Sequence, residues 1–297
     1  MSTAVEKLQS HRSHLTSLHA DLCQLCLSCG YFEPAMKFLA IDYTEINNEE
    51  NHLDAKFILL FYHYGGCIFA AKREFNRALL YFELVLTIPA AAMSFIMVDA
   101  YKKMLLTSLI VHGKGEASLD VMISRYVRRQ AQLLSQAYHE LVQAFTSGNL
   151  SRLDQVIEKE RAVFIADKNL GLVKHARQAL IKQHIHKLAR AYVTLPLSEI
   201  AKHISMANPG QVALLLGKMI DDGDLNASID ESREIVTFDS ESINRFEPSE
   251  ATLVKINSEA QYLIEVLNQI KGMDNALETN QQWLKKIVNT SDFTPYV

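Results

Sequence analysis

Proline and glycine are both scarce, 6 and 11 of 297 residues. Sandwiches and barrels need frequent tight turns, so an all-β fold is excluded. Long hydrophobic runs are missing too. The apolar stretches Phe57–Phe61 and Val212–Leu216 are far too short to span a bilayer. Met1–Lys7 has no apolar segment, so no secretory leader is expected. The four cysteines then read as reduced thiols of the cytoplasm and nucleus rather than a disulfide frame. Excess charge is also lacking. Thirty Lys and Arg against 34 Asp and Glu leave a net of −4, so no bulk field draws nucleic acid or an anionic membrane. There is no phosphate loop of the G-x-x-x-x-G-K or G-x-G-x-x-G kind and no serine in G-x-S-x-G, so no catalytic constellation and no cofactor is expected. What remains is a chain with 48% hydrophobic residues, ample for a sizeable core and expected to be rich in helix.

Helical periodicity dominates residues 1–150. Leu15, Leu18, Leu22, Leu25 and Cys26 recur at three- and four-residue steps and so share one face. Gly30 ends that helix and Pro34 opens the next, the usual order of these two residues. Phe57, Leu60, Tyr64 and Ile68 form a second stripe; Phe75, Leu79, Phe82 and Leu86 form a third, punctuated by Pro89. The tetratricopeptide pattern wants a small residue, an aromatic, an alanine and an aromatic at fixed steps. Gly66, Phe69, Ala78 and Phe82 fill those places; Leu22, Ala35 and Leu39 fill part of them one hairpin earlier. The expectation is a degenerate helical-repeat stack, each hairpin burying its face on the next and extending as a superhelix. A plain helical bundle is the alternative.

Residues 151–247 change character. Between Lys168 and Arg190 there are six basic residues and no acid. Ile181, Ile185, Leu188 and Tyr192 make an apolar face, with Lys182, His186 and Arg190 opposite, as in an amphipathic helix. Its basic side is open to RNA or to a protein partner. Leu197, Ile200, Ala201 and Ile204 mark a short helix. Asn208-Pro209-Gly210-Gln211 is a strong helix start, and Gly223 a stop. The alternation of Leu225, Ala227 and Ile229, then Glu234-Ile235-Val236-Thr237-Phe238, predicts a two-stranded hairpin. Helices followed by a hairpin give a winged helix. Glu234–Phe238 is expected to be an exposed edge strand, a template for another chain. From Thr194 to Glu247 there are four bases and ten acids, which would repel phosphates.

Residues 248–297 read as one long helix. Ile256, Leu263, Ile270, Leu277 and Leu284 stand seven apart; Leu253, Ala260, Leu267 and Val288 fill most of a second seam, broken at Asp274 and Gln281. Such a helix packs against other helices, and these seams have no partner visible in the sequence.

Three metal-like patterns fail on their own chemistry. Cys23, Cys26 and Cys29 lie along one drifting helical stripe with no second pair, and buried cysteine behaves as a small hydrophobe. His184-Ile185-His186 has the spacing of a metal-dependent isopeptidase. That site also needs an aspartate about eleven residues on and a serine before it, where Leu197 and Thr194 stand, and alternate helix residues point apart. Asp222-x-Asp224-x-Asn226 begins like a calcium loop, but Ala227 and Arg233 occupy the places of its glycine and glutamate.

Helical repeats, a winged helix and a long last helix are the layout of the PCI family, which supplies subunits to the proteasome lid, the COP-nine signalosome and translation initiation factor three. Three tracts sharpen the likeness: Tyr62-His63-Tyr64-Gly65-Gly66-Cys67-Ile68 with Phe75–Glu83; Pro89–Met97 with Ala100–Lys103; and Met219–Ile229. Together they resemble the family of third signalosome subunits, from about Ser17 onward. The third tract recurs loosely across PCI proteins; the first two are more particular. The resemblance implies a non-catalytic subunit of a complex that removes a ubiquitin-like modifier from cullins. It places the metalloprotease in another subunit and gives no cofactor, no membrane contact and no specific nucleic acid. It further implies winged helices paired edge to edge and last helices gathered in a bundle. The partners would be other PCI subunits, with cullin-ligase machinery reached indirectly. Family members carry further repeats ahead of the stretch that begins here, so this is either a naturally short homologue or a truncated one. A proteasome-lid subunit and a nucleic-acid-binding winged-helix protein are the competing readings.

Overall fold

A computed structural model describes residues 2–8, 15–41, 43, 54–88, 93–113, 125–204, 209–230, 233–238 and 250–278. Residues 1–238 form one compact unit and residues 239–297 a second. Among the described residues fourteen helices and three short strands are present.

The first unit opens with α1 (Ser2–Leu8), α2 (Ser17–Cys29) and α3 (Glu33–Leu39). Gly30 ends α2 in the left-handed region at φ 68° and Pro34 sits in the first turn of α3. α4 (Ala55–Ala71) and α5 (Phe75–Thr87) make the best-defined hairpin. α2 packs on α4, α4 on α5, and α5 on α6 (Phe95–His112). Because α4 is covered by α2, α5 and α6, it is buried on several sides. Its buried positions include Ile58, Phe61, Gly65 and Ile68 on one face and Leu59, Gly66 and Phe69 beside it. Phe57, Leu60 and Tyr64 lie at the half-buried margin.

The repeat positions carry a steric reason for their identity. A Cβ on Gly66 would lie 2.6 Å from the Phe82 ring, and one on Gly65 would lie 2.7 Å from the Tyr81 ring. Such distances force a neighbour to move in a close-packed core. The absent side chains are what let α4 approach α5, and Phe69, Ala78 and Phe82 are fully buried in the contact. Leu22, Ala35 and Leu39 are likewise buried one hairpin earlier.

The stack continues through α7 (Arg125–Leu133), α8 (Gln136–Thr146), α9 (Leu150–Lys159), α10 (Arg161–Ala166) and α11 (Leu170–Ala191). α9 packs on α8 and on α11, and α11 reaches back to α6, so no gap falls at residue 150. The apolar side of α11 is Val173, Ala176, Leu180, Ile181 and Ile185. Tyr192, assigned to that side by periodicity, is 48% exposed because the chain has already left the helix at Ala191.

The winged helix comprises β1 (Thr194–Pro196), α12 (Leu197–His203), α13 (Pro209–Asp221), β2 (Ala227–Asp230) and β3 (Ile235–Phe238). Pro209 opens α13 as expected; Asn208 lies outside the described residues, as does Pro89. Gly223, at φ 73°, turns the chain out of α13 while Asp224 N–H donates to the Met219 carbonyl at 2.9 Å.

The sheet corrects one expectation. It has three strands in the order β1-β3-β2, both pairings antiparallel. β3 is therefore central, not an edge. Ile235, Val236 and Thr237 face β1 across one side, and Ile235 to Phe238 face β2 across the other. Glu234 precedes the strand, in the left-handed region at φ 54°. The third strand escaped sequence reading because three residues ending in proline carry no alternation to detect. Among the described residues the free edges belong to β1 and β2. β1 is three residues long and carries Pro196, a blunted edge. β2 is the longer, proline-free edge.

The second unit contains α14 (Glu250–Glu278). Leu284 and Val288 lie outside the described residues, and side-chain positions are described only for residues 257–273 of the helix.

Candidate interaction surfaces

Three surfaces carry the functional question. On α14, Leu263, Leu267 and Ile270 are 60, 54 and 55% exposed. Tyr262, Ile264 and Met273 are exposed as well. Six large apolar side chains open to water within twelve residues form more than isolated surface leucines. Leu253, Ile256 and Leu277 fall on the same helix by position.

The second surface is the outer side of α13. The face that a DNA-binding winged helix would present carries Gln211, Leu214 and Lys218, and Leu214 is 71% exposed. Beside it runs a groove of about 650 Å³ floored by Gly210, Ala213 and Gly217 and bounded by Leu197, Ile229 and Glu234. Small residues and an outward leucine suit a protein contact. The acidic balance of the segment opposes phosphate contacts.

The basic helix α11 is partly neutralised in its own fold. Arg177 grips Asp154 with two hydrogen bonds of 2.6 and 2.9 Å, and Lys182 pairs with Asp224 at 2.5 Å. The Lys182 pair ties α11 to the turn after α13. His184 lies 2.8 Å from the carbonyl of Gly148 through Nε2, so it serves the α8–α9 turn. Among the described residues no three His, Cys, Asp or Glu side chains converge as a metal site. Cys23 and Cys26 are buried and Cys29 is exposed; burial, then neighbouring Cys26, pushes the Cys23 thiol up to about 12.

The third surface was not anticipated. A cleft of about 690 Å³ opens where α2, α4, α5 and α6 meet the start of α11. His63 Nε2 faces Asp99 Oδ2 at 3.2 Å, and Lys103 Nζ reaches Asp99 Oδ1 at 2.5 Å. Burial alone would depress the His63 pKa, but the Asp99 carboxylate and Cys67 outweigh it and raise it to about 9. Burial likewise opposes the Asp99 charge, yet His63 and Lys103 hold its pKa down to about 2. Next door, Lys102 Nζ and the Tyr138 hydroxyl both donate to Asp167 Oδ2, at 2.8 and 2.9 Å. Burial, and then Asp167, pushes the Tyr138 hydroxyl well up. Cys67, His63 and Asp99 look like a nucleophilic triad in composition. Their geometry is not one: Cys67 Sγ, at 4.0 Å, and Asp99 approach the same ring nitrogen, whereas a relay needs the two nitrogens to serve different partners. The sequence signals that could have exposed the cluster are two four-residue steps, His63 to Cys67 and Asp99 to Lys103, each on one helix face.

Helical repeats running directly into a winged helix define a PCI-domain protein, and the PCI family pattern matches residues 136–240. The pattern described as COP9 signalosome complex subunit 3, N-terminal helical repeats, matches residues 1–127. Named relatives include COP9 signalosome complex subunit 3 of Drosophila melanogaster, 30% identical over 309 residues, covering 98% of this chain and 68% of the relative. The protein of the same name from Dictyostelium discoideum is 30% identical over 285 residues, covering 95% of this chain and 67% of the relative. The chain belongs to the COP9 signalosome subunit 3 family. It spans about two thirds of the length of these relatives.

Proposed function

We propose that this protein is a non-catalytic scaffold subunit of the COP9 signalosome. On this reading it holds other PCI subunits in a complex that removes a ubiquitin-like modifier from cullins, in the cytoplasm and nucleus. It touches cullin-ligase machinery only indirectly and neither a membrane nor a specific nucleic acid sequence. One observation carries the reading: the heptad seam of α14 is solvent-exposed at Leu263, Leu267 and Ile270. Burying one leucine is worth ~1.5–3 kcal/mol, so a stripe of this kind favours association with partner helices. The winged helix adds a second contact, the β2 edge with the groove beside Leu214.

The test is reconstitution with the other signalosome subunits. Leu263→Asp with Ile270→Asp places two carboxylates in the seam, and an unpaired carboxylate is costly to desolvate. The double variant is expected to fold and melt as the unaltered free chain does, and to be lost from the complex. Co-purification at unchanged stoichiometry would remove α14 from the assembly.

A further inference from the structure

We propose that the turn between α4 and α5 and the turn between α10 and α11 together form a docking surface for an acidic segment of a partner protein. Backbone conformation, charge and position lead there.

The two turns are built alike. Arg73 and Lys168 stand in the left-handed region at φ 64° and 57°. Arg73 N–H donates to the Ala70 carbonyl at 3.1 Å, and Glu74 N–H to the Phe69 carbonyl at 2.9 Å. Lys168 N–H donates to the Ile165 carbonyl at 3.0 Å, and Asn169 N–H to the Phe164 carbonyl at 2.9 Å. The turn after α13 makes the same two bonds, Gly223 to Ile220 at 3.0 Å and Asp224 to Met219 at 2.9 Å, with glycine at the left-handed position. Glycine is the usual residue at such a helix ending, and a side chain there is strained. The fold of these turns therefore gains nothing from arginine or lysine. Side chains held against local strain cluster at functional sites.

What the two side chains share is charge. Both are exposed, as are Lys72 beside Arg73 and Lys174 in the second turn of α11. The carboxylates close by are already matched: Glu74 by Arg77 at 3.6 Å, Asp167 by Lys102 at 2.8 Å, and Asp99 by His63 and Lys103. Among the described residues Lys72, Arg73, Lys168 and Lys174 make no ion pair.

The two turns are also neighbours. The Phe75 and His175 rings lie 5.6 Å apart, and Ala70 and Ala71 line the same cleft as Lys168, Gly171 and His175. Unmatched cations thus collect on one stretch of surface, and such a field attracts an anionic partner. A protein segment fits better than a nucleic acid. Single strands stack on exposed aromatic rings, and Phe75 is half-buried against His175. A few phosphate contacts alone give an affinity that salt erodes. Carboxylates set between apolar residues can meet the cations while their apolar neighbours rest on Leu27, Ala70 and Leu172 of the cleft wall.

The experiment titrates the full chain, by fluorescence anisotropy, into a labelled peptide of alternating glutamate and alanine and into single-stranded RNA of equal charge. The peptide should bind more tightly than the RNA. Arg73→Gly with Lys168→Gly should weaken the peptide by about tenfold, the loss of two exposed charge pairs. The same double variant should melt no lower than the unaltered chain, because glycine relieves the left-handed strain. Arg73→Lys with Lys168→Arg keeps both charges and should keep the affinity. A chain that ignores the peptide, or a glycine variant that binds it unchanged, would overturn the proposal. So would a lower melting temperature of the glycine variant, which would make the two side chains part of the fold. Tighter binding of the RNA, lost in the glycine variant, would overturn it as well and make the surface one for nucleic acid.

Discussion

Two glycines in the middle of α4 show how much one side chain can decide. Glycine inside a helix costs about 1 kcal/mol relative to alanine, so Gly66→Ala would stabilise an isolated helix. Here the new Cβ would meet the Phe82 ring at 2.6 Å, with Phe82 fully buried. Overpacking of that kind costs about 1–3 kcal/mol and should exceed the propensity gain. Gly217 in α13 has open space where a Cβ would stand, with nothing within 4 Å, so Gly217→Ala should be neutral or stabilising by up to about 1 kcal/mol. In thermal melts Gly66→Ala should lower the melting temperature and Gly217→Ala should not. His63 gives the second residue-scale prediction. Its pKa is raised to about 9 in the folded chain, so the stabilisation it contributes is fully present below its unfolded value near 6.5 and is lost as pH rises through 9. The effect is up to about 3 kcal/mol. Asp99 works in the other direction: held to about 2, its contribution is present above about 4 and lost as pH falls through 2. The stability gap between the unaltered chain and His63→Gln should therefore narrow from pH 6 to pH 9. An unchanged gap in denaturant melts at the two pH values would count against the His63–Asp99 pair.

Elements differ in where their apolar surface goes. α11 buries Ile185 completely, and Ile185→Ala should cost about 2–5 kcal/mol in stability. Lys187 on the same helix is exposed, and Lys187→Ala should stay within about 0.5 kcal/mol. α13 is built the other way round. Val212, Leu216 and Met219 are buried, while Leu214 points out at 71% exposure. Leu214→Arg should leave the melting temperature of the free chain unchanged and lower incorporation into the reconstituted complex. If incorporation is unaffected, the α13 groove is not a subunit contact. The three-stranded sheet restricts what the wing can offer: β3 has neighbours on both sides, so among the described residues β2 is the one unblunted edge for a strand from another chain.

Over the whole molecule the charge distribution sets what the chain attracts. The winged-helix segment carries ten acids against four bases, and two of the basic residues of α11 are engaged by Asp154 and Asp224. Nucleic acid should bind weakly, with a steep loss as salt rises. Filter binding of duplex DNA and single-stranded RNA at two salt concentrations checks this; nanomolar, sequence-selective binding abolished by changing Gln211 or Lys218 would contradict it. Likewise, a neddylated cullin incubated with the purified chain and zinc should remain intact, because Leu197 and Thr194 stand where an isopeptidase site beside His184 and His186 needs its aspartate and serine.

Periodicity by itself marked α2, α4, α5, α11, α12, α13 and α14, since a 3.6-residue repeat is a local property, and the repeat pattern marked Gly66, Phe69, Ala78 and Phe82; α1 and α6 to α10 were not read from the sequence. The exposed α14 seam was legible for the same reason. Tertiary structure alone decided the rest. The place of β3 in the sheet depends on Thr194–Pro196, far back along the chain and too short to show a pattern. The cleft draws Asp99 and His63 from neighbouring hairpins and Asn169 from the start of α11, and no spacing along the chain encodes that meeting. Buried polar partners are selected by what packing brings within about 3 Å, and packing is a property of the folded stack rather than of any segment in it.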